Sequence, residues 1–230
     1  MLEINQLKVQ LPIFSISLNH AVFDRGLHII IGPNGAGKTA LLHGLIGFSE
    51  KIKSRSISVD GYMLNDTSEV MSFIPQDNPR FGISVRDYIH MTSKKKHSES
   101  AEYFGVSEVL EQSITTLSGG EFKRVICAQV RNENKPIIIA DEIEAHLDIN
   151  HKYMIMDWLK EEAKEKTVIA SIHDLNLAMT YADTLTVMSE GQFLATTAPI
   201  DTVDSHLLAR AFKSDIHLLQ IDNQTVVIRK

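Results

Sequence analysis

Only one cysteine, Cys127, stands in the 230 residues, so no intramolecular disulfide can close and a stapled secreted scaffold is excluded. A reducing cytoplasm fits that usage. No window approaches the roughly 18 uninterrupted apolar residues of a spanning helix, and the opening MLEINQLKVQ has no basic stretch leading into an apolar run. The expectation is a chain that neither spans a membrane nor carries an export signal; if it serves transport, other chains do the crossing. Basic residues are the minority: 23 Lys plus Arg against 29 Asp plus Glu leave a net charge of −6, so no general cationic field holds nucleic acid. Repeats and low-complexity tracts are missing, and the one charge run, Lys94-Lys95-Lys96 between Ser93 and His97, reads as a solvated loop. Ten histidines are present, yet none pair at i, i+4 and no Cys-x-x-Cys exists, which removes the usual zinc patterns. What remains has average globular composition, 43% hydrophobic and 23% charged, in a length suited to one domain with a subdomain.

Short β-rich runs alternate with segments of helical period. Leu27 to Ile31, Val70 to Ile74, Ile137 to Ala140, Thr167 to Ser171 and Thr184 to Met188 read as strands, mostly continuous apolar runs suited to burial on both faces. Helices are expected over Lys38 to Ile46, Gly120 to Asn132 and Asp148 to Lys164. That alternation specifies an α/β fold with a mostly parallel sheet. The first 25 residues alternate in the antiparallel manner, with Phe14, Ile16 and Leu18 on one side and Ser15 and Ser17 on the other. At the far end, Ile216 to Ile228 reads as a hairpin turning at Asp222-Asn223. From about Asp77 to Thr116 short helices and polar loops are expected, with Ser84 as N-cap for Val85 to Met91.

Gly32-Pro33-Asn34-Gly35-Ala36-Gly37-Lys38-Thr39 fits G-x-x-x-x-G-K-[ST] and stands between an expected strand and an expected helix. In such a loop glycines let backbone N–H groups turn inward around a β-phosphate. The helix start adds its positive dipole end, Lys38 supplies a point charge, and the Thr39 hydroxyl can ligate Mg²⁺. The bland alternative is a glycine-rich turn capping a helix. A second piece of chemistry sits at Asp141-Glu142, where the apolar run Ile137 to Ala140 ends in two carboxylates pointing to opposite sides of the chain. One can serve a metal while the other faces an attacking water. By itself this pair also reads as an acidic strand end in solvent.

Thr116-Leu117-Ser118-Gly119-Gly120-Glu121 opens the amphipathic helix about twenty residues before Asp141. With it the chain resembles the ATP-binding cassette ATPases, whose signature LSGGQ is here LSGGE. Ser118, Gly119 and Gly120 read as a second anion-binding nest at a helix start. Gln76, in Phe73-Ile74-Pro75-Gln76, falls where the family has its glutamine loop. His173, in Ser171-Ile172-His173-Asp174, matches the switch histidine, and Asp148, in Ala145-His146-Leu147-Asp148, the loop after the catalytic glutamate. The resemblance spans about Met1 to Thr197.

It implies a single domain over 1–230 with a P-loop NTPase core, an N-terminal antiparallel β subdomain, a small α-helical subdomain over about 77–116 and a C-terminal extension from about 200. It implies a Mg²⁺-dependent ATPase in which Glu142, His173 and Gln76 act at the reacting phosphate. ATP would be held by Gly32 to Thr39, Ser118 to Gly120, Asp148 and Phe14, and Mg²⁺ by Thr39, Gln76 and Asp141. It further implies a homodimer closed around two ATP, each nest reaching nucleotide held by the other copy. Residues 77–116 would couple that dimer to integral-membrane permease subunits at the inner face of the cell membrane, and through them to an extracytoplasmic substrate-binding protein.

The stretch His173-Asp174-Leu175-Asn176-Leu177-Ala178, followed by Tyr181-Ala182-Asp183, looks like importers of iron-siderophore, haem and cobalamin type. There are departures from the pattern. Ile143 stands where many members have proline, and Glu144-Ala145-His146-Leu147-Asp148 replaces the commoner serine-alanine-leucine-aspartate ending. No tyrosine lies between Leu7 and Phe14 to stack on adenine, which leaves Phe14 or aliphatic packing from Leu11. The competing class is a cassette ATPase acting on nucleic acid or in repair. Those insert long coiled coils, and the interval from Gln76 to Leu117 is about forty residues without sustained heptads. A small-molecule kinase would leave Leu117 to Glu121 and His173 without a task.

Overall fold

Alternation puts Leu2, Ile4, Leu7 and Val9 of β1 (Leu2–Gln10) into the interior, with polar neighbours outward. The computed structural model describes residues 1–92, 98–222 and 224–230. The Lys94-Lys95-Lys96 run with its flanks Ser93 and His97, and Asn223 of the expected turn, lie outside the described residues. Strands β2 (Ser15–Leu18) and β3 (Ala21–Phe23) pair antiparallel with β1. The chain then runs through β4 (Gly26–Ile31) into α1 (Lys38–Ile46), and returns by β5 (Ile52–Val59) and β6 (Tyr62–Met63) to complete a first sheet of order β2-β1-β5-β6.

Next come β7 (Met71–Ile74), α2 (Val85–His90), α3 (Ser98–Tyr103) and α4 (Gly119–Glu133). After them β8 (Ile137–Ala140), α5 (Ile149–Glu162), β9 (Thr167–Ser171), α6 (Leu175–Tyr181) and β10 (Thr184–Ser189) alternate. An edge strand β11 (Gln192–Pro199), helix α7 (Ser205–Phe212) and the hairpin β12 (Ile216–Ile221) and β13 (Gln224–Arg229) finish the chain. The second sheet has the order β11-β10-β4-β9-β8-β7, parallel throughout except at the β11 edge. The α/β architecture, the antiparallel N-terminal sheet and the mostly parallel sheet expected from the sequence are all present. No helix among the described residues is long and apolar enough to cross a membrane.

Period-two alternation divides the parallel sheet between two cores. Ile30, Ile139, Ile169 and Met188 face α1 and the first sheet. Ile29, Ile31, Ile138, Ala140, Val168 and Ala170 face the other way, against α4 and α5. The short helices join this second core, since Val85, Tyr88, Ile89 and Phe104 pack in the same cluster as Phe122 and Val125 of α4. At about 1.5–3 kcal/mol for each fully buried large aliphatic side chain, the two faces hold the sheet from both sides. Strand β5 escapes local reading because its middle, Lys53-Ser54-Arg55-Ser56, is polar and only partly buried. Its identity comes from pairing with β1, some fifty residues away in sequence.

Candidate functional site

Strand order brings the chemistry together. The neighbours β4, β9, β8 and β7 are parallel, so their C-terminal ends share one sheet edge. Gly32 to Thr39 leaves from β4, Ser171 and His173 from β9, Asp141 and Glu142 from β8, and Gln76 from β7. A backbone bond of 2.8 Å from Asp141 N to Ile74 O keeps the last two ends in register.

The Gly32 to Thr39 loop is closed by its surroundings. A Cβ on Gly32 would sit 2.2 Å from Met188 O, and one on Gly37 would sit 2.8 Å from Ile16 Cδ1. Gly37 also has φ 104, a conformation open to glycine, and caps α1 without a side-chain bond. Lys38 is only 5% exposed, and its Nζ donates to Gly32 O at 2.8 Å. Burial lowers the pKa of this ammonium, while the Glu142, Asp141 and Glu144 carboxylates oppose the shift. A cleft of about 320 Å³ lies over the loop, lined among others by Gly35, Lys38, Thr39, Glu142, Lys51 and Leu11. Phe14 does not line it. Its ring packs between two glycines, where a Cβ on Gly191 would come within 2.3 Å and one on Gly37 within 3.3 Å, while Leu11 is the large apolar side chain in the lining.

Asp141 is fully buried, and its Oδ1 accepts from Ser171 Oγ at 2.6 Å. Its Oδ2 is buried with no hydrogen-bond partner among the described residues. An orphaned buried carboxylate oxygen on a residue whose charge acts on Lys38 suits a hard divalent cation or its bound water. Ser171 Oγ in turn accepts the Glu142 N–H at 2.8 Å. Glu142 takes a left-handed φ of 44, a conformation costing on the order of 1–3 kcal/mol in a non-glycine residue. The turn aims its carboxylate at His173, whose Nε2–H donates to Glu142 Oε1 at 2.5 Å. Ser171 was read from the sequence only as a strand end. Its place two residues before His173, on the strand beside β8, was the one available hint of this bridging role.

Gln76 lies just beyond β7, and its backbone carbonyl accepts from buried Lys123 of α4 at 3.3 Å, Pro75 O accepting from the same Nζ at 2.8 Å. Burial lowers the Lys123 pKa, against the opposing influence of Cys127, Asp141, Asp77 and Glu144. The loop also reaches back: Arg80 donates to Leu117 O and lies over the Phe122 ring, 4.7 Å from its centroid. Neither Lys123 nor Arg80 was singled out in the sequence, because a tether to a distant backbone carbonyl leaves no local pattern.

Ser118, Gly119 and Gly120 stand at the start of α4 in a different cleft, of about 410 Å³. Ser118 caps the helix in a capping box: its Oγ accepts from Glu121 N, while its N–H donates to Glu121 Oε2 at 2.9 Å. Hydrogen bonds from Ser118 hold the Glu121 carboxyl below its usual range. The Ser118 N–H is thus already used, and the nest expected from the sequence reduces to the Gly119 and Gly120 amides. Asp148 lines this second cleft with His146 and caps α5, its Oδ1 accepting from His151 N at 3.0 Å. Hydrogen bonds from His151 lower the Asp148 pKa. No residue lines both clefts, so within one chain Asp148 and the glycine nest stay apart from Lys38 and Glu142.

Residues 17–145 match the family model described as ABC transporter. A hemin import ATP-binding protein of Pseudoalteromonas translucida is 30% identical over 228 residues, covering 87% of each chain. A cobalamin import ATP-binding protein of Halobacterium salinarum is 27% identical over 215 residues, covering 85% of this chain, which spans 54% of that relative's length. Among solved structures, the ATP binding subunit of an ABC transporter superposes with a TM-score of 0.77 at 22% identity, covering 87% of this chain and 91% of that one, and shares its fold.

Proposed function

The chain belongs to the ABC transporter family, and from that premise we propose that it is the Mg²⁺-dependent, ATP-hydrolysing subunit of an import system. The observation that carries this reading is the bond between His173 and Glu142 at the mouth of the Gly32 to Thr39 cleft. Because His173 takes Glu142 Oε1, Oε2 is the oxygen left to receive a proton from the attacking water. Gly32 to Thr39 holds the phosphates, with Lys38 as the buried cation. Thr39, Asp141 and Gln76 would hold Mg²⁺, which when bound neutralises charge on the phosphate oxygens.

The separation of the two clefts supports a homodimer. Gly119 and Gly120, with Asp148, complete the site on a second copy, so that two ATP molecules bridge two chains. Leu11 packs against the base in place of an aromatic. Residues 77–116 couple the dimer to integral-membrane permease subunits, placing the chain at the cytoplasmic face of the membrane, with an extracytoplasmic binding protein delivering cargo. The names of the relatives support an iron-chelate, haem or cobalamin cargo.

Size-exclusion chromatography of Glu142→Gln with ATP and Mg²⁺ tests this. We expect a stable dimer with turnover reduced by about 10²–10⁴. A monomer under those conditions, or wild-type hydrolysis strongly stimulated by DNA, would overturn the reading in favour of a different machine.

A further inference from the structure

Glu144 is a buried carboxylate with no assigned task. It is 7% exposed, and its Oε2 has no hydrogen-bond partner among the described residues. Its Oε1 accepts the backbone N–H of His173 at 2.5 Å and that of Asp174 at 3.4 Å. These two amides belong to the turn that leads into α6, where Asp174 is the N-cap. Two residues earlier on the same loop, Glu142 holds the imidazole of His173. The loop after β8 therefore grips His173 at two points, backbone by Glu144 and ring by Glu142.

We infer that Glu144 is a positioning residue for His173, its carboxylate pinning the His173 amide so that the imidazole meets Glu142. The chemistry favours this. A charged acceptor makes a shorter and stronger bond to an amide than a neutral one, and a buried carboxylate is costly unless such bonds compensate. The ring contact is a single hydrogen bond to Glu142 Oε1, so it weakens when the imidazole drifts. An anchored backbone on the histidine side removes that drift.

The inference rests on the hydrolytic reading of Glu142 and His173, and a double-mutant cycle separates the two. Steady-state hydrolysis and ATP affinity would be measured for wild type, Glu144→Leu, Glu144→Gln, His173→Ala and Glu144→Leu with His173→Ala. Glu144→Leu is expected to lower kcat about tenfold with KM little changed, as loss of an outer positioning bond does. Glu144→Gln, which keeps an oxygen acceptor, should restore most of the rate. Adding Glu144→Leu to His173→Ala should cost less than about twofold more, since the two share one pathway.

Multiplicative losses, a Gln variant as impaired as the Leu variant, or an unchanged rate in Glu144→Leu would each overturn the positioning role. A full rate in His173→Ala would overturn the hydrolytic reading itself, and this role with it. If Glu144→Leu does not fold by circular dichroism, the His173 amide proton shift decides the matter. It should move upfield in Glu144→Gln as the charged bond weakens, and an unmoved resonance would count against the inference.

Discussion

Gly32 to Thr39 and Ser118 to Gly120 both set glycines at the start of a helix, yet one loop is held by a sheet and the other by side chains. The first leaves the fully buried strand β4, rests against Met188 O and Ile16, and encloses an ammonium that is 5% exposed. The second is at the surface, gripped by Arg80 from one side and the His146 backbone from the other, with its cap carboxylate at the helix start. A sheet-backed loop with its own cation can bind phosphate alone. The nest is exposed with Glu121 beside it and offers the Gly119 and Gly120 amides; on the proposed reading these meet nucleotide brought by another copy. Lys123 of α4 bonds Gln76 O, and Arg80, four residues beyond Gln76, bonds Leu117 O, so two side chains link the segment after β7 to the helix that carries the nest.

The comparison can be broken most sharply at Lys38. Lys38→Ala should lower turnover by about 10² or more while leaving the circular dichroism spectrum unchanged, the expected loss for one charge aimed at a transition-state phosphate. Unfolding of that variant would mean the sheet-backed loop needs its cation for structure. At the other loop, Ser118→Ala removes the capping hydroxyl and should cost about 1 kcal/mol of stability by denaturant titration. Nucleotide affinity of the monomer should be unaffected; a weakened affinity would show the two loops acting within one chain.

The smallest effect distinguishes the supports by pH. His28 in β4 donates its Nε2–H to Asp24 O at 2.9 Å and accepts from Thr184 Oγ1 at 2.8 Å, a neutral ring, and burial lowers its pKa from 6.5. Below pH about 6.5 the unfolded chain takes up a proton that the folded chain refuses, so this residue makes stability fall as pH drops. His28→Gln should flatten that slope in urea titrations between pH 7 and 5. An unchanged slope would place the acid sensitivity elsewhere.

Much of the second sheet was legible because its strands are short apolar runs between turn residues. Ile137 to Ala140 and Thr167 to Ser171 match the observed limits, and helix Lys38 to Ile46 does as well. Strands β5 and β11 were not, since half-exposed strands take their identity from partners rather than from composition. Within the site, the glycine loop, Asp141, Glu142, Gln76 and His173 were visible as local motifs. The bonds made by Ser171, Lys123 and Glu144 were invisible because each reaches atoms distant in sequence. Where the Phe14 ring packs turned on how a loop folds: Gly191 has no Cβ, and Phe14 occupies the space so left, against Gly37 on its other side.

Alternation, glycine spacing and charge placement along the chain determined the buried strands and the main helices and which residue types stand at their ends, because backbone preference and burial of an apolar face act within a few residues. Tertiary structure alone decided which strand ends are neighbours. The order β4-β9-β8-β7 is set by how two apolar faces are covered at once, and that packing delivers Lys38, Ser171, Asp141 and Glu142 to one edge while leaving Gly119 and Gly120 in a cleft of their own.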